Sequence, residues 1–147
     1  MNYSAPNTNS NFIKRILIVD DDDMDRYALR RNIITALPAR EISEAESGEK
    51  ALSLLAGRAS LQDPMPELIF LDLNMSPMTG LEFLDVFEKL STQHRNHCRI
   101  VMVCAKEDEK EKQVAMSYAH VAGYYVKPLS IETLMHISDH LEHRQAS

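Results

Sequence analysis

The sequence predicts an α/β fold, a five-stranded parallel sheet with helices on both faces. Short apolar runs alternate five times with segments of helical periodicity, and such alternation packs as a parallel sheet covered by helices. The runs Leu68-Ile69-Phe70-Leu71 and Ile100-Val101-Met102-Val103 are apolar at every position, as strands buried on both faces are. The third observation is where the runs stop. Ile16-Leu17-Ile18-Val19 meets Asp20-Asp21, the run at 68–71 meets Asp72, and Gly123-Tyr124-Tyr125-Val126 meets Lys127-Pro128. A carboxylate beside a buried strand is costly unless paired or coordinated, so these ends point to one shared site.

The first strand is expected at residues 15–20. Leu29, Ile33, Ile34 and Leu37 then recur at helical spacing until Pro38, which cannot continue a helix. Residues 41–45 alternate polar and apolar, as an edge strand does. Ser47 is placed to cap a helix that buries Ala51, Leu52, Leu54 and Leu55. A loop follows at 57–66, and then the central strand at 68–71. Thr79-Gly80-Leu81-Glu82 is a capping-box pattern, opening a helix that carries Leu81, Leu84, Phe87 and Leu90. Residues 91–97 read as a polar connector before the buried strand at 100–103. Asp108 caps a charged helix expected to run to Ala119. The fifth strand is expected at 123–127, and Ser130 caps a last helix with Leu134, Ile137 and Leu141 inward. In such sheets, ligands bind beyond the carboxyl ends of the strands, where Asp20, Asp21, Asp72 and Lys127 fall.

The chain has 147 residues, enough for one domain with its own core. Residues 1–11 are polar and read as a flexible tail, leaving 12–147 as a single domain. No run approaches the ~18 apolar residues of a membrane span, and the N-terminus lacks a secretion-signal pattern. The formal net charge of −6 argues against nonspecific nucleic-acid binding. Cys98 and Cys104 lack CxxC spacing and fit reduced thiols in a cytoplasm.

Three carboxylates brought together repel one another, and a divalent cation with Lys127 would balance them. Magnesium suits carboxylate oxygens, water and phosphate. The cluster has no His or Cys ligand, so zinc does not fit. A carboxylate held by such a cation and a lysine can attack phosphorus, because both positive groups stabilise the oxygens of the transferring group. Asp72, ending a central strand before a loop, is the best placed nucleophile. Its phosphorylation adds charge that needs new donors. Cys104-Ala105 and backbone N–H groups near Met75 are the candidates.

The segments ILIVDDD at 16–22, LIFLDLNMSPMTGLEFL at 68–84, VMVCAK at 101–106 and GYYVKPLS at 123–130 together resemble the receiver domain of bacterial two-component response regulators. The resemblance spans residues 14–141. It implies a flavodoxin-like, doubly wound sheet of order 2-1-3-4-5. It implies Asp72 as phosphoacceptor, Asp20 and Asp21 as the acidic pair, and the Asn74 backbone carbonyl as a further ligand of Mg2+. Lys127 would hold phosphoryl oxygens, with a cis bond to Pro128, and Tyr124 matches the aromatic switch position. The chain departs from the family at two places. Cys104 stands where Thr or Ser is usual, and a thiol is a weaker donor than a hydroxyl. Ser76-Pro77 replaces a proline one position earlier.

Other features read more plainly. Asp22, Asp23 and Asp25 are expected as turn and helix-start residues. His136, His140 and His143 lie opposite the apolar side of the last helix and are expected in solvent. Met65, Met75 and Met78 fit packing around the acceptor loop. The resemblance implies a histidine kinase or histidine phosphotransfer protein as donor. After the fifth strand there is one helix and a short tail, which reads as a stand-alone receiver acting through protein–protein contact or phosphorelay, with neither nucleic acid nor membrane as partner. Its switching surface would be the fourth helix, fifth strand and fifth helix, where Met116, Tyr118, Tyr125 and Met135 offer apolar contacts. Two alternatives differ. An aspartyl phosphatase would need an acid at the position of Asn74. A degenerate receiver would bind partners without phosphorylation.

Overall fold

The computed structural model describes residues 13–38, 41–58 and 63–146. The expected tail at 1–11 lies outside them. Five strands alternate with helices: β1 (Arg15–Val19), α1 (Asp23–Ala36), β2 (Glu41–Ala45), α2 (Gly48–Ala56), β3 (Leu68–Asp72), α3 (Gly80–Phe87), α4 (Thr92–Arg95), β4 (Arg99–Cys104), α5 (Glu109–Met116), β5 (Val121–Val126) and α6 (Ile131–Ala146). All four strand pairings are parallel. The order is β2-β1-β3-β4-β5, so the polar β2 is an edge strand as expected.

The strand period of two sends alternate side chains to two cores. On one side, Leu17, Val19, Ile69, Leu71, Ile100 and Met102 pack with Ala51 and Leu55 of α2 and Phe83, Leu84 and Phe87 of α3. On the other, Ile16, Ile18, Leu68, Phe70, Val101 and Val103 pack with Ile33 of α1 and Leu134, Ile137 and Leu141 of α6. Side chains buried from both faces explain why β1, β3 and β4 read as unbroken apolar runs.

The caps form where the sequence places them. Ser47 Oγ accepts from the Lys50 N–H at 3.1 Å. Thr79 and Glu82 close a full capping box, and Ser130 Oγ accepts from the Thr133 N–H at 3.0 Å. Asp108 caps α5 through the Glu111 N–H at 3.0 Å.

Four expectations need correction. The connector at 91–97 contains the one-turn helix α4, so the fourth and fifth helices of the expected switching surface are α5 and α6. Helix α5 ends at Met116, not Ala119, because Ser117 and Tyr118 turn back onto Val114 and Ala115. Leu90 lies beyond α3, although it still packs against the core. Ile34 faces out of α1 and is exposed; the inward stripe is Leu29, Ile33 and Leu37.

Among the described residues, no helix is long and apolar enough to cross a membrane. His136, His140 and His143 are exposed, as expected.

Candidate functional site

Parallel strands put all carboxyl ends on one rim. Asp20 directly follows β1, Asp72 ends β3 and Lys127 directly follows β5. Asp20 and Asp72 are 5% and 4% exposed, the two buried charged groups among the described residues. Asp21 is exposed at the mouth. Ligand oxygens of Asp20, Asp21 and Asp72 all lie within 4.8 Å of one another.

Lys127 Nζ lies 2.7 Å from Asp20 Oδ2 and 3.4 Å from Asp72 Oδ2. The backbone steadies both buried acids. Asp20 Oδ1 accepts from the Asp22 N–H at 2.9 Å, and Asp72 Oδ1 accepts from the Asn74 N–H at 3.0 Å. Arg26 donates to the Asp20 carbonyl at 2.6 Å and also pairs with Glu44 and Asp23, which fixes the β1–α1 turn.

Burial pushes the Asp20 carboxyl above its usual range, outweighing the hydrogen bonds from Lys127 and the Asp22 N–H; the charge of Asp72 pushes the same way. For Lys127, burial favours the neutral amine. Hydrogen bonds to Asp20 and Asp25, with the charges of Asp72 and Asp20, overcome that and hold the ammonium above its ordinary value. A buried acid kept costly to ionise despite a bonded lysine lacks positive charge. The donor set is all oxygen. These residues therefore fit a hard divalent cation.

Asp25 is the site residue that the sequence reading missed. Its Oδ2 lies 2.7 Å from Lys127 Nζ. Reading it only as a helix-start acid was incomplete. The signal was in the spacing: Asp25, Leu29, Ile33 and Leu37 follow one another at intervals of four, so Asp25 shares the inward face of α1.

Around Asp72, Gly80 permits a close approach. A Cβ there would sit 2.7 Å from the Asp72 carbonyl oxygen and 2.8 Å from Leu73 Cα. The Asn74 side chain bridges to the next strand, its Oδ1 accepting from the Ala105 N–H at 3.2 Å. The Ser76 N–H, one residue past Met75, points to Asp21 Oδ2 at 3.3 Å. Both Ser76-Pro77 and Lys127-Pro128 are cis.

The two switch candidates are neighbours. Cys104 is buried, and its thiol donates to the Tyr125 carbonyl at 3.6 Å. Tyr124 is 8% exposed, its hydroxyl accepting from the Asp108 N–H at 3.0 Å. Burial and the Cys104 contact push the Tyr124 phenol up to about 12. Of the expected surface residues, Met116 and Met135 are exposed, with Val114 and Val126 beside them in sequence or on β5. Tyr118 and Tyr125 are only half-buried partners of the cores.

A sequence profile described as "Response regulator receiver domain" matches residues 16–139. The chain is 32% identical over 120 residues to the nitrate/nitrite response regulator protein NarL of Escherichia coli K12, covering 82% of this chain and 50% of that one. It thus spans about half the length of that relative. It is 29% identical over 120 residues to chemotaxis protein CheY of Pseudomonas aeruginosa, covering 82% of this chain and 89% of that one. Among solved structures, a two-component response regulator from Legionella pneumophila superposes with a TM-score of 0.73 at 28% identity, over 88% of this chain and 98% of that one. One from Cytophaga hutchinsonii reaches 0.82 at 24% identity, over 89% and 98%, a likeness of fold. With the parallel order β2-β1-β3-β4-β5 and the acids gathered on one rim, these matches settle the family: the chain belongs to the response regulator receiver domains.

Proposed function

We propose that this receiver domain accepts a phosphoryl group on Asp72 from a phosphohistidine donor, a histidine kinase or a histidine phosphotransfer protein. The observation that carries the reading is the convergence of Asp20, Asp21, Asp72 and Lys127 Nζ on one rim. The side chains of Asp20, Asp21 and Asp72 and the backbone carbonyl of Asn74 would hold Mg2+. When bound, the ion supplies positive charge for the oxygens of the transferring group.

In the transfer, a carboxylate oxygen of Asp72 attacks phosphorus. A P–O bond forms and the P–N bond of the donor breaks. The imidazole nitrogen keeps that electron pair and takes up a proton from water. Lys127 shifts from the carboxylates toward the new phosphoryl oxygens, since the modified side chain carries about one more negative charge than before. The Ala105 N–H is a second donor, available once Asn74 Oδ1 releases it. Water attack on phosphorus later returns the carboxylate, so any turnover is the domain's own phosphorylation and dephosphorylation. Output runs through the α5–β5–α6 face in the cytoplasm, by contact with another protein or by passing the phosphoryl group on.

The test is incubation with a phosphorylated histidine phosphotransfer domain and Mg2+. Label should move to the wild-type chain, be released by hydroxylamine as an acyl phosphate is, and be absent from Asp72→Asn. Label that persists in Asp72→Asn would overturn the assignment.

A further inference from the structure

An ammonium has three N–H donors, and Lys127 commits its two short contacts to Asp20 and Asp25, both at 2.7 Å. Asp72, the acceptor, is left at 3.4 Å, beyond the usual range for a charge-assisted bond. The resting lysine is thus drawn toward α1 and away from the group it must serve. Two further observations tie Asp25 to this arrangement. Asn32 Nδ2 donates to the Leu129 carbonyl at 2.9 Å, which locks α1 to the loop that carries Lys127. A cavity of about 60 Å³ touches Asp25, Asp20, Asp72 and Lys127 together, which leaves open space beside the ammonium and the three carboxylates.

We infer that Asp25 is a positioning residue that restrains Lys127, holding its ammonium off Asp72 until a phosphoryl group draws it across. The inference rests on the phosphoacceptor reading of Asp72. Asp25 stabilises the resting arrangement more than the transfer state, where Lys127 has turned to the phosphoryl oxygens. An interaction stronger in the ground state than in the transition state slows the step. Asp25 therefore acts as a brake, and Asp20 remains to keep the lysine in the site when the brake is removed.

The experiment compares wild type, Asp25→Asn, Asp25→Glu and Asp72→Asn, all as the full chain. One arm follows the side-chain nitrogen resonance of Lys127 by NMR without phosphodonor. The other follows phosphorylation by phosphoramidate with Mg2+ using intact mass. Asp25→Asn should shift the Lys127 resonance and speed its proton exchange. It should also raise the phosphorylation rate by about two- to fivefold, the range that a half-exposed ion pair supplies. Asp25→Glu should restore both toward wild type, which a loss of helix stability alone would not do. An active wild type whose rate and Lys127 resonance are unchanged by Asp25→Asn overturns this inference alone, as does a slower Asp25→Asn with an intact thermal melt. A wild type that takes up no more phosphate than Asp72→Asn overturns the phosphoacceptor reading, and this one with it.

Discussion

At the scale of single residues, the site is a problem in charge. Asp20 and Asp72 are buried within reach of each other, and one ammonium is shared among Asp20, Asp25 and Asp72. The weak point is Cys104. Its thiol is spent on the Tyr125 carbonyl inside the core, whereas a hydroxyl at this position could donate to a phosphoryl oxygen. Tyr124 is meanwhile held by the backbone of Asp108. Phosphorylation of Asp72 is therefore expected to couple weakly to Tyr124. Cys104→Thr is expected to lengthen the life of the acyl phosphate by about tenfold, the low end of what one bond to a charged group supplies. A pulse of labelled phosphodonor followed by chase reads it; equal lifetimes with equal partner affinity would contradict the account. The four residues at the strand ends were legible because a buried strand cannot end in a charge without cause. Asp25 was less so. In a run of acids, its register with Leu29 and Ile33 is the one mark that separates it from its solvated neighbours.

At the scale of elements, the placement of Asp72 depends on how α3 meets the end of β3. The capping box fixes the first turn of α3, and Gly80 lets that turn lie against the backbone of Asp72 and Leu73. Gly80→Ala puts a Cβ into backbone atoms that cannot turn aside. It is expected to cost about 1–3 kcal/mol, as overpacking does, and to lower the phosphorylation rate by moving the loop. Gly48→Ala is the contrast. Its Cβ would meet Met78 Sδ at 2.7 Å, the end of a flexible side chain that can give way. Urea denaturation of both variants checks the order; equal losses would contradict it. Strands β1, β3 and β4 were readable from composition alone because each is buried on both faces. The short α4 was not, since Ser91, Thr92, Gln93 and His94 carry no apolar stripe and its turn is held by backbone bonds to Ser91 and Thr92. The end of α5 was missed because Tyr118, which continues the apolar pattern, packs against the core from a turn.

At the scale of the whole molecule, the parallel sheet joins two cores and presents one rim. The same topology that lets α1 and α6 cover one face and α2, α3 and α5 the other brings residues more than a hundred positions apart within 2.7 Å. The site's protonation is therefore linked to global stability. Tyr124 and Lys127 both favour their protonated forms more strongly in the folded chain than in the unfolded one. The stability they supply is complete below about pH 10, near their unfolded values. It is lost as the pH rises through about 12 for Tyr124, with Lys127 falling away above its own raised value. Denaturant midpoints should hold steady up to about pH 10 and then decline, and Tyr124→Phe should flatten part of that decline. A midpoint that rises across this range would contradict the burial assigned to Tyr124 and the carboxylate partners assigned to Lys127.

The central claim is that the strand tips form one cation-assisted acceptor at Asp72. Intact mass after exposure to phosphoramidate tests it most directly, with wild type and Asp72→Asn each run in Mg2+ and in chelator. The account predicts one added phosphoryl group on the wild type in Mg2+, little in chelator, and none on Asp72→Asn. An equal mass gain in Asp72→Asn, or a wild type that stays unmodified in Mg2+, would contradict it.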